Sequence, residues 1–112
     1  MSKPGGAGNA DDAGRDQGEV LIRKDRRVDR PRLWKVLLHN DDFTTMQFVV
    51  EVLVNHFGKG PAEATFVMLQ VHRKGVGVAG VYPRDLAETK VAEVTADALA
   101  NEMPLLVTAE PA

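Results

Sequence analysis

The chain has 112 residues, a formal net charge of −2 and no cysteine. It has room for one domain with a modest core, and a disulfide framework, a Cys-ligated metal and a thiol nucleophile are excluded. The opening MSKPGGAGNADDAGRDQGEV lacks the apolar run of a secretory signal, and no stretch approaches the roughly 20 apolar residues of a membrane span, so a soluble cytoplasmic protein is expected.

Residues 1 to 32 carry eight Lys or Arg against six Asp or Glu, and residues 33 to 112 carry six against ten. An acidic body is a poor match for a phosphate backbone, which is held by clustered cations. The one basic cluster, RKDRRVDR at 23–30, is interleaved with its own acids and reads as a solvated linker rather than an RNA-binding patch. Residues 1–31 are rich in Gly, Asp, Asn and Arg, with only Val20, Leu21 and Ile22 as an apolar triplet. That is too little burial to offset ordering, so a flexible arm is expected, followed by one domain over 32–112.

LWKVLLH, from Leu33, is a strand pattern with Lys35 and His39 on its more polar face. The polar triplet Asn40-Asp41-Asp42 ends it. Thr44-Thr45-Met46-Gln47 has the form of a capping box with Thr44 as N-cap, Gln47 reaching back and Phe43 and Phe48 as a hydrophobic staple. Met46, Val49, Val50, Leu53, Val54 and Phe57 follow helical spacing, and Gly58 stops the run. A second helix opens at Gly60-Pro61, with Glu63 in its first turn; Ala64, Val67, Met68 and Val71 form its stripe, His72, Arg73 and Lys74 its last turn, and Gly75 its close. VGVAGVY is a glycine-loosened strand. A third helix follows Pro83, with Leu86, Ala87, Val91, Val94 and Ala98 inward, and runs to about Asn101; LLVT after Pro104 is a last strand. The order β-α-α-β-α-β predicts an α+β sandwich, a small antiparallel three-stranded sheet packed on three helices.

Two motifs mislead. GVGVAG at 75–80 spells the dinucleotide fingerprint, but it follows a helix and becomes a strand, the reverse of what a pyrophosphate site needs. Its glycines read as a C-cap, a close backbone approach and a bulge. NDDFTTMQF lacks the alternation and terminal Glu of a calcium loop, and His39, His56 and His72 lie 17 and 16 residues apart, without the short spacings of a zinc site. No metal or cofactor is expected. With Ser2 the only serine, a triad has no nucleophile. Asp41 and Asp42 as an acid–base pair would point different ways from one turn, so no enzyme is expected. Taken one at a time, Asn40 and Asp42 fit a turn, His72 a helix C-terminal cation, and Met46 and Met68 a core.

WKVLLHNDDFTTMQFVVEVL, ATFVMLQVHRKGVGVAGVY, AETKVAEV and PLLVT together resemble the ClpS family, adaptors that feed N-degron substrates to the Clp AAA+ protease. The likeness runs from about Leu33 to Thr108, with the Asn-Asp-Asp turn, the M-L-x-V-H near the end of the second helix and the A-E-T-K-V of the third in family order. The resemblance implies a domain that grips the first residue of proteins beginning with Leu, Phe, Tyr or Trp. Asn40, Asp42 and His72 would surround the α-amino group, with Asp41 a further candidate. Thr44, Met46, Val49, Met68, Val71 and Leu105 would line the side-chain pocket, Met46 acting as the gate against β-branched residues. It also implies an arm that engages the unfoldase while the body docks on the N-terminal domain of ClpA or ClpC; nothing in the sequence demands more than a monomer. Thr45 and Pro83 depart from the family's usual proline and threonine, Phe43 from its frequent tyrosine, and Met103 from the histidine that often precedes the proline; none is an ammonium contact.

The chemistry of the residues agrees. An ammonium offers three donors and no acceptor, and an amide oxygen, a carboxylate and an imidazole nitrogen answer it. Two other readings remain: a module that docks on the Clp ATPase and inhibits or redirects it without reading N-termini, and an RNA-binding domain built on 23–30.

Overall fold

Strand β1 (Leu33–His39) is the middle of a three-stranded antiparallel sheet in the order β2-β1-β3, where β2 is Val76–Pro83 and β3 is Leu106–Pro111. The structure, a computed structural model, describes residues 31–112; the expected arm at 1–31 and the 23–30 cluster fall outside the described residues, apart from Pro31. Helices α1 (Met46–Phe57), α2 (Pro61–Lys74) and α3 (Arg84–Ala100) complete the order β-α-α-β-α-β.

Alternation along β1 sends Val36 and Leu38, both fully buried, toward the helices. There they meet Ala79 of β2 and Val107 of β3, Val52 and Leu53 of α1, Val71 of α2 and Val94 of α3. The opposite face of the sheet stays partly in water, with Val78 and Thr108 flanking Leu37, and His39 Nε2 sharing a 2.8 Å hydrogen bond with Thr108 Oγ1.

The faces of α1 and α3 are turned slightly from their expected registers, while α2 buries Ala64, Val67 and Val71 as expected. In α1 the buried residues are Phe48, Val49, Val52 and Leu53, while Val54 and Met46 are 36% and 44% exposed. This helix touches α2, α3 and β2, so its covered face is centred between two rows rather than on the single row that spacing suggests. Leu86 is likewise exposed, and Ala87, Val94 and Ala98 carry the inner face of α3.

Polar groups then fasten α3 in place. Lys90 Nζ donates to the His56 carbonyl at 2.6 Å and lies 5.9 Å from both the Phe57 and Tyr82 rings; His56 Nε2 lies 2.8 Å from Asp97 Oδ2. Just beyond the C-terminus of α3, Glu102 has φ 59°, the one described non-glycine residue with positive φ, and the Met103 N–H reaches back to the Ala98 carbonyl at 2.8 Å.

The glycines of the false fingerprint have structural roles. Gly75 caps α2 in the left-handed conformation, φ 88°, its N–H donating to the Val71 carbonyl at 2.9 Å. The register of β1 against β2 slips between Val36, opposite Gly80, and Leu37, opposite Val78, leaving Ala79 as the extra residue of a bulge. Gly77 passes so close to α2 that a β-carbon there would stand 2.7 Å from the buried Val71 Cγ2. Gly77→Ala is therefore expected to destabilise the fold by roughly 1–3 kcal/mol through overpacking; denaturant titration checks this, and an unchanged unfolding midpoint would show that Val71 moves aside at no cost.

Candidate functional site

The loop after β1 and the end of α2 come together because the Asn40 N–H donates to the Gly75 carbonyl at 2.9 Å. Asn40 is thereby held beside the last turn of α2, which carries His72. Asp41 then folds the loop onto the start of α1. One of its oxygens accepts from the Phe43 and Thr44 N–H groups, each at 2.7 Å, and the other accepts from the Thr44 hydroxyl at 2.6 Å. Partial burial pushes the Asp41 carboxyl upward, but these three hydrogen bonds outweigh it, and the group is held below the ordinary carboxylate range.

This arrangement corrects the expected helix start. The N-cap of α1 is Thr45, whose hydroxyl accepts from the Phe48 N–H at 3.0 Å. Thr44 is already engaged by Asp41, Gln47 donates forward to Glu51 at 3.2 Å, and Phe43 is 79% exposed, so neither the box nor the staple forms as expected. An aspartate accepting backbone donors two and three residues on was a legible signal, because Asx side chains build such turns.

Between the loop, α1 and α2 lies a cavity of about 280 Å³ lined by Asn40, Asp41, Asp42, Thr44, Met46, Val49, Met68, Val71 and His72. Asn40, Asp42 and His72 are exposed at its rim; Val49 and Val71 are buried and form the wall, with Met46 and Met68 less covered. The volume is at the small end of ligand cavities and suits one side chain rather than a cofactor. Of the residues expected here, Leu105 alone is not among its lining: it is 5% exposed and packs in the core. Asp41 also lines the cavity, and its two oxygens accept the three hydrogen bonds that fold the turn. Among the described residues no three His, Asp or Glu groups converge as a metal site, and no helix is long and apolar enough to cross a membrane.

A polar rim of acceptors over an apolar hollow defines a small binding domain. The family model for the ATP-dependent Clp protease adaptor protein ClpS matches residues 29–108. The ATP-dependent Clp protease adapter protein ClpS of Deinococcus radiodurans is 61% identical over 95 residues, covering 85% of this chain and 84% of its own. That of Desulfatibacillum aliphaticivorans is 53% identical over 96 residues, covering 86% and 92%. Among solved structures, Agrobacterium tumefaciens ClpS2 bound to L-phenylalaninamide superposes with a TM-score of 0.71 at 42% identity, over 74% of this chain and all of that one. The chain belongs to the ClpS family of Clp protease adaptors, which are not enzymes and whose partner is a Clp ATPase.

The Asp41 turn has a pH signature. Because its carboxyl is held below its unfolded value, its contribution to stability is complete above the unfolded value, about 3.9, and is lost as pH falls through the lower folded one. The stability difference between the native protein and Asp41→Asn is expected to be largest near neutral pH and to shrink below about pH 4. Urea unfolding at a series of pH values checks this, and a difference independent of pH would place the effect outside the charge.

Proposed function

We propose that the cavity binds the first residue of proteins that begin with Leu, Phe, Tyr or Trp, and that the domain delivers them to the Clp unfoldase and protease. The observation that carries this reading is the meeting of Asn40, Asp42 and His72 on the rim of an apolar hollow. An α-ammonium needs acceptors only, and an amide oxygen, a carboxylate and the free nitrogen of a neutral imidazole are three kinds of acceptor. The side chain then enters between Met46, Val49, Met68 and Val71, with Thr44 beside the rim. Methionine walls adapt to aromatic and aliphatic guests, and Met46 at the mouth serves as the gate against β-branched ones. L-Phenylalaninamide, the ligand of the Agrobacterium relative, has the same two features, an α-amino group and an apolar side chain.

The magnitudes suit an adaptor that must release its cargo. Charge-assisted hydrogen bonds contribute about 1.5–3 kcal/mol each, and a buried Leu or Phe side chain about 1.5–3 kcal/mol. After the cost of association a Kd on the order of micromolar follows. On this reading the protein acts in the cytoplasm as a monomer. Its body docks on the N-terminal domain of ClpA or ClpC, and residues 1–31 serve as the delivery handle.

Fluorescence anisotropy with short peptides tests the terminus reading. Peptides beginning Leu or Phe are expected to bind, those beginning Ile to bind more weakly, and acetyl-Leu not to bind; His72→Ala is expected to weaken Leu binding about tenfold or more. Equal affinity for Leu and acetyl-Leu peptides would overturn it in favour of a module that docks on the ATPase without reading termini. Deleting residues 1–25 is expected to leave peptide affinity intact and slow degradation of a Leu-initiated reporter. An undiminished degradation rate would remove the arm from delivery.

A further inference from the structure

A second concavity, of about 490 Å³, is open to water and lined by Phe43, Leu99, Glu102, Met103 and Pro104. Two large apolar side chains stand nearly bare in it: Phe43 is 79% exposed and Leu99 73%. Their positions are imposed by structure on either side. Asp41 holds the backbone of the Phe43 turn through the Phe43 and Thr44 N–H groups, and the Met103 N–H closes the end of α3 onto the Ala98 carbonyl. Phe43 stands between Asp42 and Thr44, both of which line the first cavity. The two hollows therefore draw residues from the same turn.

We propose that this shelf receives one of the two residues that follow the first residue of a bound chain, and that it favours an apolar side chain there over an acidic one. The inference rests on the terminus-binding reading above and extends it to substrate sequence. With the ammonium on the rim and the first side chain in the cavity, the rest of the substrate leaves across the rim. An extended chain advances about 3.3 Å per residue, so its second and third residues pass within a few residue lengths of Asp42, whose neighbour is Phe43. The occupant is thus the substrate itself, by continuity with the first site. Its chemistry follows from the lining: a bare aromatic ring, a leucine and a methionine gain by covering apolar surface. Glu102 in the shelf and Asp42 on the shared turn repel a carboxylate.

Anisotropy with four peptides tests this: Leu-Ala-Ala, Leu-Leu-Ala, Leu-Ala-Leu and Leu-Glu-Glu, each continued by one common sequence. In the native protein either Leu-Leu-Ala or Leu-Ala-Leu is expected to bind about three- to tenfold more tightly than Leu-Ala-Ala. Leu-Glu-Glu is expected to bind more weakly than Leu-Ala-Ala, with a deficit that shrinks as salt is raised. In Leu99→Ser and in Phe43→Ala the ratio of the apolar peptides to Leu-Ala-Ala is expected to fall to about one, and because a ratio is read, any general loss of binding cancels. Equal affinities for the three uncharged peptides in the native protein, or a ratio that survives both substitutions, would overturn the shelf while leaving terminus binding in place. Failure of the terminus reading looks different: no Leu-initiated peptide binds, or acetylation makes no difference, and the shelf falls with it.

Discussion

The site depends on the chain leaving β1 being tied to the chain leaving α2. The hydrogen bond from the Asn40 N–H to the Gly75 carbonyl joins two points 35 residues apart, and Gly75 can present that carbonyl while closing α2 because it accepts a left-handed φ of 88°. Behind the tie, Gly77 lets β2 pass against Val71 without a side chain between them. Each of these features removes steric bulk where α2 meets the sheet, and together they set His72 next to Asn40 at one cavity mouth.

Adjacent carboxylates do different work at that mouth. Asp41 uses both oxygens on Phe43 and Thr44, and the hydrogen bonds that shape the turn also stabilise its charged form. Asp42 is exposed and borders the same cavity, available to a positively charged guest. The apolar wall is economical in another way. Val49 and Val71 belong at once to the core and to the cavity, so the hollow is an unfilled margin of the core rather than a separate construction. Its wall is built by the packing that stabilises the domain.

Much of this was legible before any coordinates. The three helices and three strands announce themselves through spacing and through Pro61, Gly58 and Gly75 at helix ends, and the residues that meet at the cavity form one constellation once the family pattern is recognised. The misreadings were local. Thr44 and Thr45 are equally good caps on paper, and only the prior claim of Asp41 on Thr44 shifts the helix start to Thr45. Phe43 resembles half of a staple, yet it faces water because the turn closes before the helix begins. Leu105, also expected at the cavity, is 5% exposed and belongs to the same core cluster as the wall residues Val49 and Val71.

By itself the sequence determined what each segment can be: its alternation and helical periods, its capping glycines and prolines, and a supply of acceptors without a nucleophile. Those are local properties, set by backbone sterics and by hydrogen bonds a few residues long. Tertiary structure alone decided which of two threonines caps α1, which of two aspartates faces outward, and how far each helix is rotated on the sheet. These choices depend on contacts between residues tens of positions apart, where competing local options of similar free energy are settled by packing.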